Sequence, residues 1–324
     1  MANEVVKQEK QQIATSLSQW TNGMLATVEH EYDVCGVPFD EYSRLCGVNA
    51  MSNIYQLVVS SGLNMNELDT SNMEDVIKFV ASNKLNCNAV PAECFFKIAN
   101  KKVGNGWVKQ IEVSMMGEGY MAQLRLFGDG VAEVFPTWIV KEGDDFIPPR
   151  HRGIEVTPPE WESKGLSQKT VRIVIPIKMK DGTVQYKMSD RESVKTNLLA
   201  HVRNNLMNEC FGICENRFKA NAQQKAQIDS NKATILNALK LCNSVDEMLN
   251  CKEALPYISA AWLDSPESMI TRKMINNACK QVSKNMNPIA KQSYTVVAEP
   301  IYKEIADEIS EEANSEAFVM PDMP

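Results

Sequence analysis

Two segments of the sequence have residue types whose spacing indicates a binding chemistry. The first is MMGEGYMAQLRLFGDGVA at 115–132, which has the G-x-G-x-x-A order of a dinucleotide-binding turn from Gly117 onward. Such a turn must open a helix of ten or more residues and be followed by a second parallel strand. Here Gly128 ends the helical pattern early, and the strands that follow have an antiparallel pattern. The segment therefore predicts two tight turns around a short helix at 120–126, and no nucleotide cofactor.

The second segment is 265–286, which predicts a helix with a basic face. Ser265 is a favourable N-cap, and Pro266 occupies the first helical position. At 100° per residue the apolar side chains fill one arc, while the opposite arc has bases and asparagines and no acid. An ordinary solvated face, which is the alternative, normally mixes charges of both signs. The arc is therefore predicted to bind phosphates through Arg272, Lys273, Lys280 and Lys284.

Other cations and aromatic residues are secondary candidates for contacts with a nucleic acid. Arg125, Lys109 and Lys187 are expected on the predicted sheet. Arg150 and Arg152 lie in the proline-stiffened segment PPRHRG, for which a solvated loop and a phosphate clamp are equal alternatives. Four aromatic residues flank the predicted strands, and core packing is favoured over base stacking for all of them: Trp107, Tyr120, Phe135 and Trp138.

Residues with the chemistry of catalysis or metal binding are sparse. The histidines are His30, His151 and His201, and none stands in an H-E-x-x-H motif. Cys210 and Cys214 could join His201 as metal ligands, but buried thiols are the favoured interpretation. The acids of VKEGDDF at 140–146 could hold a metal in a nuclease, but a turn is favoured because no second acidic cluster precedes the tail. No catalytic residue and no metal site are therefore predicted.

The spacing of apolar residues changes along the chain and predicts the helices and strands that position these residues. Residues 42–100 predict helices, and one of the residues 69–71 is the N-cap of the second of them. Residues 104–190 alternate with the two-residue period of strands and contain G-D-G and K-D-G turns. The pattern then becomes helical again up to about Met286. This order predicts an α+β fold, with a small antiparallel β-sheet flanked by helices and a helical C-terminal half.

The predicted domain organisation has three parts. Residues 1–41 form a flexible or helical N-terminal arm, 42–290 form the core, and 291–324 form an acidic C-terminal tail. The core itself is divided into a sheet region at 104–190, a helical insertion at about 195–257 and the basic helix at 265–286.

The net charge of −7 is concentrated at one end of the chain. From Glu299 onward eight acids stand against a single base, Lys303, so the body before Glu299 is neutral. The negative net charge of the whole chain therefore does not exclude a nucleic-acid partner for residues 1–298. The nine cysteines form no C-x-x-C pair, no long apolar run is present and the N-terminus lacks the order of a signal peptide. These features predict reduced thiols, a cytoplasmic location and no membrane partner.

Three stretches of the chain follow the order of motifs of one known family. The first has a short helix with Leu124 and Arg125, then Gly128, a strand and VKEGDDF. The second is VRIVIPIKMKDGTVQYKMSDRESV at 171–194, and the third is AAWLDSPESMITRKMINNACKQVSKNMNP at 260–288. Together they resemble the RecT-type single-strand annealing proteins, relatives of phage Redβ. The chain departs from that family where RLFG replaces a double-basic helix and where Thr-Arg-Lys replaces Lys-Thr.

The resemblance implies a phage or prophage recombinase in the cytoplasm of a bacterial host. Such a protein binds single-stranded DNA and promotes ATP-independent annealing of complementary strands in homologous recombination, without catalytic bond chemistry. The implied partners are single-stranded DNA, the annealed duplex and further copies of the chain in a ring or a helical filament. A 5′–3′ exonuclease and a host single-strand-binding protein are further candidates. No nucleotide cofactor is expected, and Mg²⁺ is expected only as an aid to annealing.

The residues leave a second hypothesis open. The chain could be a self-assembling structural or interaction protein without annealing activity, which associates through 195–257 and packs its basic helix against its own acidic tail. Annealing itself needs cations that neutralise two repelling strands, and it needs no ATP because base pairing is downhill. The lack of a G-x-x-x-x-G-K-[ST] motif agrees with the annealing hypothesis. The tail is expected either to be a disordered, solubilising segment or to compete with phosphates for the basic face.

Overall fold

The computed structural model of the chain describes residues 2–103, 106–153, 155–294 and 297. Its elements form two compact units. The first unit contains the chain up to Phe127 together with the segment from Lys284, and the second unit is Gly128–Ser283. The division therefore falls within the predicted core of 42–290.

The first unit contains helices and a two-stranded antiparallel sheet. Its elements are α1 (Ala2–Val34), α2 (Glu41–Ser60), a 3-10 helix (Met65–Glu67), α3 (Thr70–Ser82), β1 (Cys94–Val103), β2 (Gly106–Met115) and α4 (Gly117–Phe127), and residues 288–294 are also helical. As predicted, α3 begins at a side-chain cap, because the Asp69 carboxylate accepts the backbone N–H groups of Ser71 and Asn72. The core of this unit includes Ile54, Ile77 and Ile111, which are at most 1% exposed.

Two sequence predictions for the first unit need correction. Residues 94–100 were included in the helical region 42–100, but they belong to β1, where Phe96 and Ile98 point to the core with the two-residue period of a strand. The predicted N-terminal arm is helical, but it is not a free arm. Leu25 and Tyr32 of α1 are buried, so the second half of this helix is part of the core.

The second unit is built around a four-stranded antiparallel sheet. In this sheet β9 pairs with β10 along one edge and with β3 and β4 along the other. β5 and β8 form a separate two-stranded sheet, and β6 and β7, which lie between them in sequence, form a hairpin. The strands are β3 (Val131–Val134), β4 (Trp138–Lys141), β5 (Asp145–Ile147), β6 (Arg150–Arg152), β7 (Glu155–Thr157), β8 (Glu160–Glu162), β9 (Thr170–Met179) and β10 (Val184–Asp190). The predicted D-G turn joins β9 to β10, with Gly182 at a φ of 86° and the Asp181 carboxylate accepting the Thr183 N–H.

Helices make up the rest of the second unit. They are α5 (Lys195–Leu206), α6 (Ala222–Leu241), α7 (Val245–Leu249), α8 (Ala260–Asp264) and α9 (Pro266–Cys279), with 3-10 helices at Arg191–Val194, Arg217–Lys219 and Leu255–Tyr257. The fold is therefore α+β, with small antiparallel sheets flanked by helices and a helical C-terminal half, as predicted. Among the residues that the structure describes, no helix has the length and apolar character needed to cross a bilayer.

The basic helix is shorter than the predicted span of 265–286, because α9 ends at Cys279. Ser265 occupies the N-cap position but makes no side-chain cap hydrogen bond, and Pro266 stands at the first position as predicted. After Cys279 the Gln281 side-chain amide donates to the Met188 carbonyl oxygen. Lys280 and Lys284 therefore lie beyond the last helical residue.

The glycine segment of 115–132 forms α4, which is longer than the predicted helix of 120–126. Gly119 lies in the first turn of α4 and packs against the backbone of Glu93, the residue that precedes β1. A Cβ atom at position 119 would overlap the Glu93 carbonyl oxygen and would lie 2.8 Å from Met115 Cγ. Close packing of the helix on this backbone therefore requires glycine here.

We expect Gly119→Ala to lower the free energy of unfolding by about 1–3 kcal/mol, because the added methyl group overpacks a backbone contact. Urea denaturation measures this loss. Gly23→Ala is the matched control, since a Cβ at that position of α1 meets no atom within 4 Å. This control should gain about 0.5–1 kcal/mol from helix propensity. Equal effects of the two substitutions would contradict the packing role of Gly119.

Candidate nucleic-acid interface

α9 is packed on more sides than its sequence pattern indicates. It contacts β9 and β10, and the Asn277 side-chain amide donates to Asn197 Oδ1 of α5 at 2.9 Å. Every side chain from Met269 to Cys279 is buried or half-buried, and Asn276 is buried. The arc that the helical wheel predicts as a phosphate-binding face is therefore not a broad solvent-facing strip.

Three cations lie close together between the middle of α9 and its C-cap, and we call Arg272, Lys273 and Lys280 the cation cluster. Burial and then the charges of Arg272 and Lys280 lower the pKa of Lys273. Among the described residues, no carboxylate oxygen lies within 4.0 Å of the Arg272 guanidinium or the Lys273 ammonium group. Arg272 instead places Nη2 2.7 Å from Met269 Sδ. Positive charge is thus concentrated here without a carboxylate beside either of these two side chains.

The other predicted cations of the second unit lie on strands. Lys187 is half-buried on β10, opposite Ile175 of β9. Arg150 and Arg152 are exposed and, as alternate residues of β6, share one face of the β6–β7 hairpin. The proline-stiffened loop predicted for these two arginines is therefore a short hairpin, and Arg152 stands opposite Glu155.

The remaining predicted cations belong to the first unit. Lys109 lies on β2 and its Nζ is 2.9 Å from Glu67 Oε2, so an acid already accompanies it. Arg125 is exposed near the end of α4, and Lys284 is half-buried. The expectation that Arg125, Lys109 and Lys187 share one sheet is wrong. They occupy a helix, the β1–β2 sheet and the sheet of the second unit, respectively.

Four aromatic side chains lie next to one another on the four-stranded sheet and on the two-stranded β5–β8 sheet. We call the surface formed by Trp138, Phe146, Trp161 and Tyr186 the aromatic face. Trp138 of β4 stacks on Trp161 of β8, with ring centroids 5.8 Å apart and planes 27° apart. Tyr186 of β10 lies on the other side, 6.1 Å from the Trp138 ring, and Phe146 of β5 is paired directly opposite Trp161. All four rings are half-buried, so each keeps accessible surface.

The charges near the aromatic face are arranged by strand alternation. Arg172 of β9 lies with its guanidinium carbon 4.7 Å from the Phe146 ring centroid and donates to the Asp190 carboxylate. Asp145, Glu160 and Glu162 alternate with Phe146 and Trp161 along the two short strands and are exposed. These acids therefore point away from the aromatic rings.

Asp144 stabilises the β5–β8 sheet, which contains Phe146 and Trp161. Its carboxylate accepts the backbone N–H groups of Lys141 and Lys164 and the indole N–H of Trp161, at 2.9, 2.9 and 3.0 Å. The two backbone hydrogen bonds and the indole hold the pKa of Asp144 down at about 2. This geometry agrees with the turn predicted for VKEGDDF. The described residues include no cluster of three or more His, Cys, Asp or Glu side chains suited to a metal ion.

Arg191, in the 3-10 helix that follows β10, is a buried residue that forms ion pairs with two carboxylates. Its guanidinium donates to the carboxylates of Asp246 (2.6 and 3.3 Å) and Glu267 (2.6 and 3.0 Å) and to the Thr170 carbonyl oxygen (3.0 Å). The hydrogen bond from Arg191 lowers the pKa of Asp246. For Glu267 burial has the largest effect and raises the pKa, but the hydrogen bonds from Arg191 and the Thr170 N–H and the charge of Arg191 together outweigh it. The Arg191 cluster thus joins β9, α7 and α9 and sets the position of the cation cluster.

The candidate metal ligands have other roles. His201 Nε2 lies 3.1 Å from the Ser259 backbone N–H, which donates to it, and the ring packs near Trp262. Burial and the charge of Lys273 lower the pKa of His201, which favours the neutral ring that can accept this hydrogen bond. All nine cysteines are free thiols, and Cys210 and Cys214 are half-buried.

Sequence reasoning missed Trp161, Tyr186 and Arg172 as members of a common surface. Their positions in the chain give no local signal, because the contacts join strands that are far apart in sequence. The chain matches no protein-family model, no curated protein and no solved structure. The resemblance to RecT-type proteins therefore stays a prediction from the sequence.

Proposed function

We propose that this protein binds single-stranded DNA with little sequence preference and anneals it to a complementary strand without ATP. The observation that carries the proposal is the cation cluster, in which Arg272 and Lys273 lack a described carboxylate partner. Most other cations with described partners in this unit, such as Lys164, Lys169 and Arg217, lie beside acids. Burial is the main cause of the lowered pKa of Lys273, and repulsion from Arg272 and Lys280 adds to it; a polyanion would relieve this repulsion.

An alternative role for the cation cluster is stabilisation of the C-terminal end of α9, where the helix dipole favours positive charge. That role accounts for Lys280 at the C-cap. It does not account for Arg272 and Lys273, which lie in the middle of the helix. Binding of phosphates accounts for the whole cluster, and the sequence resemblance to RecT-type proteins supports single-stranded DNA as the source of these phosphates.

Annealing further requires that several copies align many nucleotides. In the first unit β1 is a strand of ten residues whose only described strand partner is β2. An edge of this length offers main-chain groups with which a further copy can pair. We therefore include homo-oligomers, as rings or filaments, in the proposal.

The proposal is tested by the salt dependence of DNA binding in a variant whose two central cations are replaced by uncharged residues. We expect oligo(dT) to bind the wild-type protein and the slope of log affinity against log salt to fall by about 0.7 per lost phosphate contact. For Arg272→Gln with Lys273→Met, the slope should therefore be smaller by about 1.4. Fluorescence anisotropy measures both slopes, and annealing of complementary oligonucleotides without nucleotide is followed in parallel.

The control is Arg217→Gln with Lys219→Met, which removes the same charge from exposed side chains that already pair with Asp229 and Glu215. Its salt slope should equal that of the wild type. Equal slopes for all three proteins would move the phosphate site away from α9. An absence of DNA binding at low salt would reject the proposed function and favour the self-assembling structural protein. Annealing that needs ATP would reject the ATP-independent mechanism.

A further inference from the structure

Three of the cysteines lie together in the first unit. Cys46 of α2, Cys87 of the loop before β1 and Cys94, the first residue of β1, belong to one hydrophobic core cluster. Cys46 and Cys94 are 0% and 1% exposed, whereas Cys87 is 9% exposed. Cys87 is therefore the thiol of this group that a small molecule in solvent can reach, and Cys94 lies behind it.

Hydrogen bonds close the loop that connects Cys87 to Cys94. The Glu93 N–H donates to the Asn86 carbonyl oxygen at 3.2 Å, and the Asn86 N–H donates to Glu93 Oε2 at 2.6 Å. These reciprocal bonds hold the residues that precede the two cysteines side by side. The side chains of Cys87 and Cys94 are accordingly within hydrogen-bonding contact of each other.

The thiols of this group differ in acidity. The Cys94 S–H has two acceptors, the Leu85 carbonyl oxygen at 3.9 Å and the Cys87 sulfur. Its hydrogen bond is the main cause of the lowered pKa of Cys87, and burial opposes it. The same hydrogen bond and then burial raise the pKa of Cys94, and burial raises the pKa of Cys46 to about 12. Cys87 is thus the thiol of the three that favours the nucleophilic thiolate.

Core packing is the alternative role for these residues, because buried cysteines commonly act as small apolar groups. It accounts for Cys46, whose thiol stays protonated. It does not account for a partly accessible thiol whose thiolate is stabilised by a buried thiol directly behind it. An accessible nucleophilic thiol and a buried second thiol are the parts that a two-step disulfide formation requires.

We infer that Cys87 and Cys94 form a reversible disulfide when a hydroperoxide reaches the first unit. The Cys87 thiolate attacks one oxygen of hydrogen peroxide, and the O–O bond breaks. This gives a sulfenic acid on Cys87 and a hydroxide, which takes up the proton that the thiol released. The Cys94 sulfur then attacks the Cys87 sulfur, and the S–O bond breaks as a second water leaves with the Cys94 proton. The two sulfurs lose two electrons, which the peroxide gains, and an external dithiol reverses the reaction.

The test measures the order in which the thiols of the reduced wild-type protein react with hydrogen peroxide. Remaining thiols are blocked with iodoacetamide, and cleavage after Lys84 and Lys97 gives a peptide that contains Cys87, Cys94 and no third cysteine. We expect most of this peptide to lose two hydrogen atoms and to escape alkylation while the exposed Cys35 is still free. Dithiothreitol should restore both thiols. In urea the preference over Cys35 should disappear, because the contact between the two thiols is lost.

Two variants separate the steps, and a third is the matched control. Cys94→Ser keeps a hydroxyl donor but removes the second thiol, so dimedone should label a sulfenic acid that accumulates on Cys87. Cys87→Ser should leave Cys94 reduced, because burial and a raised pKa protect that thiol. Cys35→Ser removes an exposed thiol of the same unit and should form as much disulfide as the wild type.

Oxidation of Cys35 before Cys87 in the wild-type protein would overturn the inference and leave core packing as the role of these thiols. A disulfide between Cys46 and either neighbour, or a Cys94→Ser variant without dimedone label on Cys87, would also contradict it. The inference goes beyond the proposed function and does not depend on it. None of these measurements uses DNA, so their failure leaves the proposal of DNA binding unchanged.

Discussion

Replacing Arg191 with Met lowers the free energy of unfolding by about 3 kcal/mol, the largest single effect that we expect in this chain. The guanidinium is 6% exposed and uses all five of its N–H groups on Asp246, Glu267 and Thr170. Its removal leaves Glu267 without its cation, and it leaves Asp246 with Lys169 alone, whose Nζ lies 3.1 Å from Asp246 Oδ2. Both carboxylate side chains are more than a third exposed, so water offsets part of the loss and the effect lies at the lower end of the range for buried pairs.

Arg217→Met is the matched control for this prediction. Arg217 also binds a carboxylate with two hydrogen bonds, to Asp229 at 2.7 and 3.0 Å, but its side chain is 43% exposed. An exposed pair of this kind contributes about 0–1 kcal/mol. Urea denaturation of both variants measures the difference, and similar losses would mean that Arg191 has no special structural role.

A triple replacement tests whether the lost stability comes from the unpaired carboxylates or from the missing guanidinium. Arg191→Met together with Asp246→Leu and Glu267→Met removes the stranded charges along with the guanidinium. We expect this variant to regain most of the lost stability, because removing one partner is costly whereas removing all of them is close to neutral. A variant that stays as unstable as Arg191→Met would show that the hydrogen bonds of Arg191 and Glu267 to the Thr170 backbone carry the effect.

Local signals in the sequence predicted the local features correctly. The Asp69 cap, the D-G turn at 181–182 and the turn of VKEGDDF each depend on side chains that bond to backbone within a few residues. The helices of the second half and the central strands also followed their apolar periods. Such features depend on spacing along the chain, which a sequence displays directly.

The tertiary contacts of α9 explain why its face was predicted less well. A helical wheel separates apolar from polar residues, but it cannot show which polar residues a neighbouring element uses. Glu267 binds Arg191, 76 positions away, and Asn277 binds Asn197, 80 positions away. These pairs turn part of the predicted polar arc into a packed surface and leave the cations between the middle of α9 and its C-cap as the candidate site. The aromatic face escaped prediction for the same reason.

Asn72 is the residue for which we expect the second large effect on stability. It belongs to α3, but its side-chain amide acts as a strand partner for the outer edge of β2. Oδ1 accepts the Ile111 N–H at 2.6 Å, and Nδ2 donates to the Ile111 carbonyl oxygen at 3.2 Å. The backbone N–H of Asp69 donates to the Lys109 carbonyl oxygen at 2.9 Å and continues this edge. One amide side chain thus satisfies both backbone groups of a residue that is 1% exposed.

We expect Asn72→Ala to lower the free energy of unfolding by about 2–3 kcal/mol, because it leaves a buried donor and a buried acceptor without partners. Ser71→Ala controls for the gain in helix propensity, since Ser71 is the exposed preceding residue of the same helical turn. Asn72→Asp keeps the acceptor for the Ile111 N–H but places a negative charge against its carbonyl oxygen, so it should lie between the wild type and Asn72→Ala. Hydrogen exchange at the Ile111 amide gives a local measurement, because this N–H should exchange faster in Asn72→Ala and stay protected in Ser71→Ala. Unchanged exchange at Ile111 in Asn72→Ala would show that the side chain is not the strand partner at this edge.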